Sequence, residues 1–334
     1  MLASVNDLRA LALAALAKAG VPSAHAEIQA DLFLEAEMRG LPSHGLLRLR
    51  RVIERIHAGL SVPATTGKHI WSTRNFLQVD GERGLGPVVA LTALDAIIPH
   101  AREDGIAIAA IRNTNHLGAL AYYAEYAAKS DITCIALTIS EALVHPYGGR
   151  KALIGTNPIA IGVPANPDPL ILDMATSLVS MGKIHDHANR GLPIPPNWAL
   201  DANGDPTTDA TAAKSGAIAP FGGPKGYALG VAFEVLVASL AASAIGAEVR
   251  GTLDSDSVSN KGDIFIAISP PNASLAREIA TAYLDELRSA RPADPKQPVL
   301  TPGDRARSAR QRAIEKGIQL DDKLWEDLKA LAAA

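Results

Sequence analysis

The sequence predicts a mixed α/β or α+β protein whose two ends are helical. The first sixty residues follow the period of amphipathic helices, and the segment after residue 272 does so again. From Phe76 onward the middle of the chain carries short apolar runs, which are typical of buried strands. The chain has 334 residues, more than one hydrophobic core usually serves, so we expect two lobes.

The N-terminal segment is predicted to form three helices. Apolar periodicity places the first over residues 5–19 and the second over residues 24–39. The third begins near Leu46, within the stretch LPSHGLLRLRRVIERI. Its apolar side chains share one side of the helix, which we expect to be packed in the interior.

The opposite side of the third helix is basic. Helical spacing brings Arg48, Arg51 and Arg55 close together on that side. His44, one turn earlier, lies on the same side, after Ser43, which is a plausible N-cap. The face is suited to one small anion, although a solvated basic surface is the simpler interpretation of such a helix taken alone.

The middle of the chain is predicted to supply the strands of a sheet. Helical stretches alternate with its apolar runs, as in α/β and α+β folds. The predicted strands are residues 106–111, 132–139, 159–163, 170–174 and 264–268. Residues 228–244 are apolar nearly all round, which indicates a helix buried between layers or at a subunit interface.

The composition argues against several classes of function. A formal net charge of −3 and an aromatic content of 4% are unlike those of a nucleic-acid-binding protein. The single cysteine, Cys134, excludes an intrachain disulfide and a cysteine metal cluster, and it fits a reducing compartment. Charges interrupt the N-terminal helix, which is too short to span a membrane. We therefore expect a cytoplasmic protein with no metal site, no membrane contact and no nucleic-acid partner.

Common cofactor and catalytic motifs are missing from the sequence. It contains neither a GxGxxG after a strand nor a GxxxxGK[ST] phosphate loop. It also lacks HExxH and GxSxG, the signatures of many zinc proteases and serine hydrolases. A nucleotide cofactor would therefore have to be held in another way.

Polar and glycine-rich loops flank the predicted strands. His116 follows one strand in NHLG, Thr156 precedes another in GTNP, and Asp173 ends a third in LDMATS. Lys225 lies in GGPKG at the start of the apolar helix, where free N–H groups favour an anion. Each loop taken alone is equally consistent with a helix cap or a tight turn.

Six motifs in this order resemble a known family. They are SHGLLRL, NHLGALAYYAEYAA, GTNPIAIGVP, LDMATS, GGPKGYALG and a late PGD. Together they resemble the malate/L-lactate dehydrogenase family of NAD(P)-dependent 2-hydroxyacid oxidoreductases, which is unrelated to the Rossmann-type lactate and malate dehydrogenases. The resemblance spans nearly the whole chain, and it accounts for the missing glycine fingerprint.

The resemblance implies a fold and an assembly. It implies a non-Rossmann, mixed-sheet cofactor domain over residues 76–270 and a helical lobe built from residues 1–75 and 271–334. It also implies a homodimer or higher homo-oligomer whose active sites lie near subunit contacts.

The resemblance further implies roles for individual residues. The residues implied at the catalytic and substrate site are Ser43, His44, His116, Arg48, Thr156 and Lys183. The residues implied along an NAD or NADP cofactor are His116, Ser140, Asp173, Met174, Ala175, Thr176, Pro224, Lys225, Pro302, Gly303 and Asp304.

Arg48 and an imidazole one turn away suit a small 2-oxo acid. A guanidinium binds a carboxylate bidentately, and histidine can give or take a proton at the adjacent oxygen. Hydride would pass between the nicotinamide and C2. The sequence slightly favours His44 over His116 as the acid, since His44 shares a face with Arg48. It leaves NAD and NADP open, although Arg305 and Arg307 follow the PGD turn.

Two other functions stay open at this point. One is a reductase of cyclic imino acids, and the other is a non-catalytic protein that binds anions on the basic face. Family members that reduce cyclic imines have an aspartate at the position of Lys183, so the lysine favours an open-chain 2-oxo acid. A lysine within reach of His44 would also lower the pKa of that histidine. A second departure is Ile139-Ser140-Glu141, where many relatives have an asparagine–serine pair.

Overall fold

The structure, a computed structural model, describes residues 1–333. The helices in this part of the chain are α1 (Val5–Lys18), α2 (Ser23–Met38), α3 (Leu49–His57), α4 (Gly86–Asp104), α5 (Ala121–Lys129), α6 (Met181–Asn189), α7 (Ala210–Ala213), α8 (Pro224–Ala241), α9 (Ala273–Ser289), α10 (Asp304–Lys316) and α11 (Asp322–Ala333). The strands are β1 (Leu2–Ala3), β2 (Lys68–Thr73), β3 (Phe76–Asp80), β4 (Ile106–Arg112), β5 (Thr133–Thr138), β6 (Ile159–Val163), β7 (Leu170–Met174), β8 (Ala199–Leu200), β9 (Ala217–Ile218), β10 (Gly262–Ile268) and β11 (Ile318–Gln319).

Seven strands form one mixed sheet. Their order is β2-β3-β4-β10-β5-β6-β7. The pair β3–β4 is parallel, and every other neighbouring pair in this sheet is antiparallel. A Rossmann sheet is mostly parallel, so the expected mixed, non-Rossmann α/β fold is confirmed.

Helices cover both faces of the sheet. On one face α4 and α5 pack in a core that includes Ala109 and Phe265. On the other face α8 packs in a core that includes Ala110 and Ile264. Neighbouring residues of a strand point to opposite faces, so both faces of β4 and β10 are apolar and their sequences read as continuous apolar runs. The five strands predicted from such runs are β4, β5, β6, β7 and β10.

The two ends of the chain share a second core. β1 pairs with β11, with Leu2 opposite Gln319. Helix α1 packs against α2 and α11, and α10 packs against α2. This core contains Leu16, Phe33 and Leu328, and it also buries Leu49 of α3.

The main sheet begins before the boundary at residue 75 that the sequence suggested. β2 lies at the sheet edge and pairs with β3. Only His69 of its six residues is shielded from solvent, and then only in part. An exposed edge strand has no apolar alternation, so KHIWST gives no signal of a buried strand. At the other boundary, α9 lies on the surface with Leu284 as its one buried residue among residues 273–289.

Helix α8 is buried on one face only. It is long and apolar enough to span a membrane by length and composition, alone among the helices of residues 1–333, and 33% of it is buried. Its inner face packs on the sheet through Val237 and Ala238. Its outer face exposes Leu229, Val235 and Leu236, so the expected burial between layers applies to half of the helix.

Candidate active site

The turn that carries Ser43 and His44 differs from the predicted helix start. Two short 3-10 turns precede α3, which begins at Leu49 rather than near Leu46. Glu37 of α2 holds this segment, because its Oε1 accepts a hydrogen bond of 2.8 Å from the Leu46 N–H. A Cβ at position 45 would lie 2.3 Å from the same oxygen, so the turn requires glycine there. Burial raises the pKa of Glu37 to about 7.

Ser43 links His44 to Arg48. Its Oγ lies 3.0 Å from Nδ1 of His44, and its carbonyl oxygen accepts a bond of 2.7 Å from Nε of Arg48. Burial, and next the charge of Arg48, lower the pKa of His44 to about 4, so this imidazole is neutral at pH 7. Burial, and next the charge of Arg51, lower the pKa of Arg48 to about 10, which leaves the guanidinium charged.

His116 follows β4 and faces the same turn. Its ring centroid lies 5.6 Å from that of His44. Nδ1 of His116 accepts a bond of 2.8 Å from the backbone N–H of Gly118, so the neutral ring carries its proton on Nε2. Burial, followed by the charges of Arg48 and His44, holds the pKa of His116 well below its usual range.

A pocket opens between α2, α3 and the loop after β4. His116 lines it, whereas His44 is not among its lining residues. Its apolar wall consists of Leu32, Phe33, Val52 and Leu85. Its basic wall consists of Arg48, Arg51 and Arg55. The pocket thus joins the predicted carboxylate anchor to one of the two histidines.

Three polar residues from separate motifs meet at the ends of β5 and β7. The Thr156 N–H donates to Oγ of Ser140 over 3.0 Å. The Thr156 carbonyl oxygen accepts bonds of 2.8 Å and 3.0 Å from the N–H and the hydroxyl of Thr176. Next along the chain, Asn157 donates its Nδ2 to the buried Glu234 of α8. The cluster is therefore fixed from two sides.

Asp173 ties the end of β7 to the start of α5. Its Oδ2 accepts a bond of 2.8 Å from the Ala121 N–H, and burial raises the pKa of Asp173 to about 6. Since α5 follows the loop that carries His116, this contact places β7 beside that loop. Met174 and Ala175 follow, both half-buried.

The start of α8 is open to solvent. Pro224 and Lys225 are exposed, and Gly223 before them has a φ of 62°. Pro224 occupies a first-turn position, where its missing N–H costs no hydrogen bond. The other free N–H groups of this first turn and the lysine make a favourable position for a phosphate.

The PGD segment runs along the edge of the main sheet. The carbonyl oxygen of Pro302 accepts a bond of 3.3 Å from the Ile171 N–H of β7. Gly303 has a φ of 100° and precedes α10. Pro302 therefore lies against β7, at the open edge of the main sheet.

The side chain of Asp304 stabilises this segment by accepting hydrogen bonds from neighbouring residues. Burial raises the pKa of Asp304, but hydrogen bonds from Arg288, Thr301 and Arg307 outweigh burial and leave that pKa well below its usual range. Arg307 is held by Asp304 and by the carbonyl of Pro169, at 2.5 Å and 2.8 Å. These bonds occupy Arg307, one of the two arginines that the sequence offered for a 2'-phosphate, whereas Arg305 is exposed.

Lys183 lies beside the catalytic turn, but its charge points elsewhere. A Cβ on Gly182 would lie 3.3 Å from Cβ of Ser43, so the start of α6 touches the turn. Nζ of Lys183 lies 4.7 Å from the centroid of the Trp198 ring. The charge that lowers the pKa of His44 is that of Arg48 rather than Lys183.

Sequence reasoning placed Arg55 on the basic face without giving it a role, and it missed Asn115 and Lys261. Arg55 is 5% exposed, and its Nε donates to Oδ1 of Asn115 over 2.9 Å. Lys261 pairs with Asp263 in the interior and contributes to the low pKa of His116. A signal was available for Asn115, because it directly precedes His116 in the chain. Nothing in the sequence marked Lys261.

Comparison with known proteins identifies the family. Residues 3–329 match the malate/L-lactate dehydrogenase family. The chain belongs to that family. It is an NAD(P)-dependent 2-hydroxyacid oxidoreductase, and the sequence-based expectation of an enzyme of this class is confirmed.

Relatives in the family carry different names. The chain is 36% identical to the malate/(S)-sulfolactate dehydrogenase of Methanothermus fervidus, over 99% of this chain and 97% of that protein. It is 34% identical to the Delta(1)-pyrroline-2-carboxylate/Delta(1)-piperideine-2-carboxylate reductase of Pseudomonas aeruginosa, over 98% of both chains. A crystal structure of a dehydrogenase from Sinorhizobium meliloti is 54% identical, with a TM-score of 0.95 over 99% of this chain and 98% of that one.

Proposed function

We propose that the enzyme interconverts an open-chain 2-oxo acid and its 2-hydroxy acid, with Arg48 binding the carboxylate and His44 transferring the proton. The observation that carries this proposal is the convergence of one half-buried guanidinium and two neutral imidazoles, with ring centroids 5.6 Å apart, at a single turn. In a 2-oxo acid the carbonyl carbon is bonded directly to the carboxylate, so one small ligand can present both groups to this turn.

Arg48 is prepared to bind a carboxylate. Its Nε is held by the Ser43 carbonyl, so the planar group has a fixed orientation, and its two terminal nitrogens remain for a ligand. It is charged although buried, because its lowered pKa of about 10 is still well above neutrality. A bidentate contact would satisfy both terminal nitrogens and neutralise the charge.

The hydrogen bonds of the two histidines support different roles. Nδ1 of His116 accepts from a backbone N–H, so protonating it would break that bond and set two N–H groups against each other. His116 is therefore suited to remain neutral and to donate from Nε2 to the substrate oxygen. Nδ1 of His44 faces a hydroxyl, which can accept or donate, so His44 tolerates both protonation states.

Substrate binding and proton transfer are coupled through Arg48. The charge of Arg48 contributes to the low pKa of His44, about 4. A substrate carboxylate on Arg48 would cancel much of that charge and shift the pKa of His44 upward, while burial, the larger cause, would continue to lower it. Substrate binding would therefore favour the protonated His44 that the developing alkoxide needs.

The residues around the site fit a nicotinamide dinucleotide. The open first turn of α8, with Lys225 and the positive-φ pair Gly222-Gly223, suits a pyrophosphate. The hydroxyl cluster of Ser140, Thr156 and Thr176 would hold polar groups of the cofactor near His116, with Asp173 fixing the adjacent backbone. When bound, the cofactor supplies or accepts the hydride at C2.

The same proposal extends to assembly and location. We propose a homodimer or higher homo-oligomer, supported by the exposed apolar outer face of α8. We propose a cytoplasmic location, supported by the free, buried Cys134.

A substrate panel tests the proposed function. Pyruvate, 2-oxobutyrate, oxaloacetate, and Δ1-pyrroline- and Δ1-piperideine-2-carboxylate would each be assayed with NADH and with NADPH, following cofactor absorbance. We expect at least one open-chain 2-oxo acid to be reduced with a higher kcat/KM than either cyclic imine. Equal or better use of the cyclic imines would reject the proposal in favour of imine reduction.

A further inference from the structure

One wall of the pocket comes from a surface loop. Residues 249–261 form the connection that leads into β10. Gly251 and Thr252 of this loop line the pocket, and both are buried. We call these two residues the loop wall. Other lining residues, such as Phe33 and Val52, belong to helices that pack in the core of the chain ends. The loop wall, by contrast, depends on the hydrogen bonds that hold the loop in place.

The loop is compact because it bonds to itself. The Arg250 N–H donates to Oδ1 of Asn260 over 2.8 Å, which joins the two ends of the loop. Oδ1 of Asp254 accepts bonds of 3.0 Å and 2.9 Å from the N–H groups two and three residues further on. A Cβ on Gly251 would lie 2.5 Å from the backbone nitrogen of Ser259, so the two limbs touch there. A loop of this kind keeps its own shape, and contacts outside it decide where it lies.

One carboxylate oxygen, Oε1 of the half-buried Glu141, holds the loop wall. It accepts bonds of 2.7 Å and 3.1 Å from the N–H and the hydroxyl of Thr252, and a bond of 2.9 Å from the N–H of Leu253. Hydrogen bonds to a charged acceptor are stronger than those between neutral groups. Three donors from two successive residues on one oxygen fix both the position and the rotation of this part of the loop.

Arg55 holds the next part of the loop. Its Nη1 donates to the carbonyl oxygen of Asp254 over 2.8 Å, and its Nε donates to Oδ1 of Asn115 over 2.9 Å. The loop is therefore held on one side by Glu141 and on the other by a residue of the basic wall. Removing the carboxylate of Glu141 leaves the Arg55 contact in place, so the loop should loosen at Thr252 without detaching.

We propose that Glu141 is a positioning residue that fixes the loop wall and thereby limits the length of the side chain that a 2-oxo acid can carry into the pocket. This proposal rests on the proposed function, in which Arg48 binds the carboxylate in the same pocket. A fixed wall gives a short side chain close contacts and leaves a longer one without space. A loosened wall reverses both effects, because the short side chain loses contacts and the longer one gains space.

A series of 2-oxo acids with uncharged side chains tests the limit on length. Pyruvate, 2-oxobutyrate, 2-oxopentanoate and 2-oxohexanoate lengthen the side chain one carbon at a time, and we expect the kcat/KM of the wild type to fall along the series. Glu141→Ala should lower kcat/KM for pyruvate about tenfold, mainly through KM, and should lower the ratio of kcat/KM for pyruvate to kcat/KM for 2-oxohexanoate by a similar factor. Glu141→Gln keeps one oxygen for the three donors and removes the charge, so this ratio should stay within about threefold of the wild type.

Amide hydrogen exchange tests the contact without any substrate. The N–H groups of Thr252 and Leu253 donate to Glu141, so a peptide that covers residues 250–258 should exchange roughly tenfold faster at these two positions in Glu141→Ala, and little faster in Glu141→Gln. The matched control is Glu248→Ala, because Glu248 is an exposed glutamate just before the same loop. It should change neither the exchange nor the substrate ratio.

Five results would overturn the proposal. Unchanged exchange in Glu141→Ala would show that Glu141 does not hold the loop. Faster exchange with an unchanged substrate ratio would show that the loop does not limit the substrate. A Glu141→Gln variant that behaves like Glu141→Ala would assign the effect to the charge of Glu141, which opposes the lowering of the Arg55 pKa by burial. An unchanged ratio with weaker NADH or NADPH binding would assign Glu141 to the cofactor site. A wild type that reduces 2-oxo acids without regard to length would leave the proposed function intact and remove the limit.

Failure of the proposed function itself gives a different result. A wild-type enzyme that reduces no 2-oxo acid would overturn the proposed function and, with it, the substrate role of the loop wall. Hydrogen exchange would then still decide whether Glu141 holds the loop, because that measurement needs no turnover.

Discussion

Replacing Arg48 by lysine isolates the bidentate contact from the charge. Lysine keeps one positive charge but loses the planar fork and the 2.7 Å bond to the Ser43 carbonyl. Losing charge-assisted hydrogen bonds to the substrate should cost roughly 1.5 to 3 kcal/mol, which lowers kcat/KM about tenfold to over a hundredfold. Cofactor affinity should barely change, because the fork is aimed at the substrate.

The loss should also grow with pH. Burial lowers the pKa of Arg48 to about 10, which leaves an arginine charged throughout the neutral range. A lysine begins about two pKa units lower, so the same burial brings its titration close to neutral pH. The Arg48→Lys variant should therefore lose its charge, and more of its activity, as the pH rises above 7.

Steady-state kinetics with the preferred 2-oxo acid, from pH 6 to 9, would measure this effect. Cofactor dissociation constants from fluorescence titration would be measured in parallel. Arg50→Lys is the control, since Arg50 is exposed on the same helix and pairs with Asp327. Unchanged substrate kinetics in Arg48→Lys would refute the carboxylate role of this residue. The basic side of the segment would then be interpreted as a solvated surface.

Two further predictions concern neighbouring residues. Burial raises the pKa of Glu37 to about 7, so the folded state gains stability from its neutral form at low pH and loses that stability as the pH rises toward and through 7. Glu37→Gln should therefore be more stable than the wild type at pH 9, by about 3 kcal/mol, with little difference at pH 4, in denaturant titrations. A difference in unfolding free energy that does not change with pH would contradict the assigned pKa. Lys183→Asp should lower the ratio of kcat/KM for the 2-oxo acid to kcat/KM for Δ1-pyrroline-2-carboxylate, because a carboxylate beside the Ser43 turn stabilises an iminium. If this ratio does not change, Lys183 has no role in substrate choice and only contacts Trp198.

The interior of the fold was easier to predict than its edges. β4, β5, β6, β7 and β10 consist of apolar runs, and the sheet buries them most completely at the central strand β10 and only at Ile171 in the edge strand β7. β2 is an exposed edge strand, and its position depends on pairing with β3, which composition does not reveal. The helix start near Leu46 was wrong for a related reason. The 3-10 turns there depend on Glu37, a residue of another helix, and that contact is long-range.

The parts of the site that could be predicted are residues close to one another in the sequence, whose spacing indicates that their side chains lie near each other. The sequence placed Arg48 and His44 on one helical face; the structure carries them on two 3-10 turns instead, and it still brings both near His116. Contacts across the fold were not predictable in the same way. The hydrogen bond from Arg55 to Asn115 and the proximity of Lys261 to His116 both depend on strands and loops that meet only in the folded chain.

The assignment of proton transfer to His44 is tested most directly by single-turnover reduction with glutamine at each histidine. Glutamine places an amide N–H where Nε2 of histidine lies, so it preserves a donor but cannot transfer a proton. His44→Gln should slow the chemical step about a hundredfold or more, the usual contribution of a general acid. His116→Gln should stay within about tenfold of the wild type, since a single neutral hydrogen bond contributes less. A slow His116→Gln beside a nearly normal His44→Gln would contradict the account and transfer the acid role to His116.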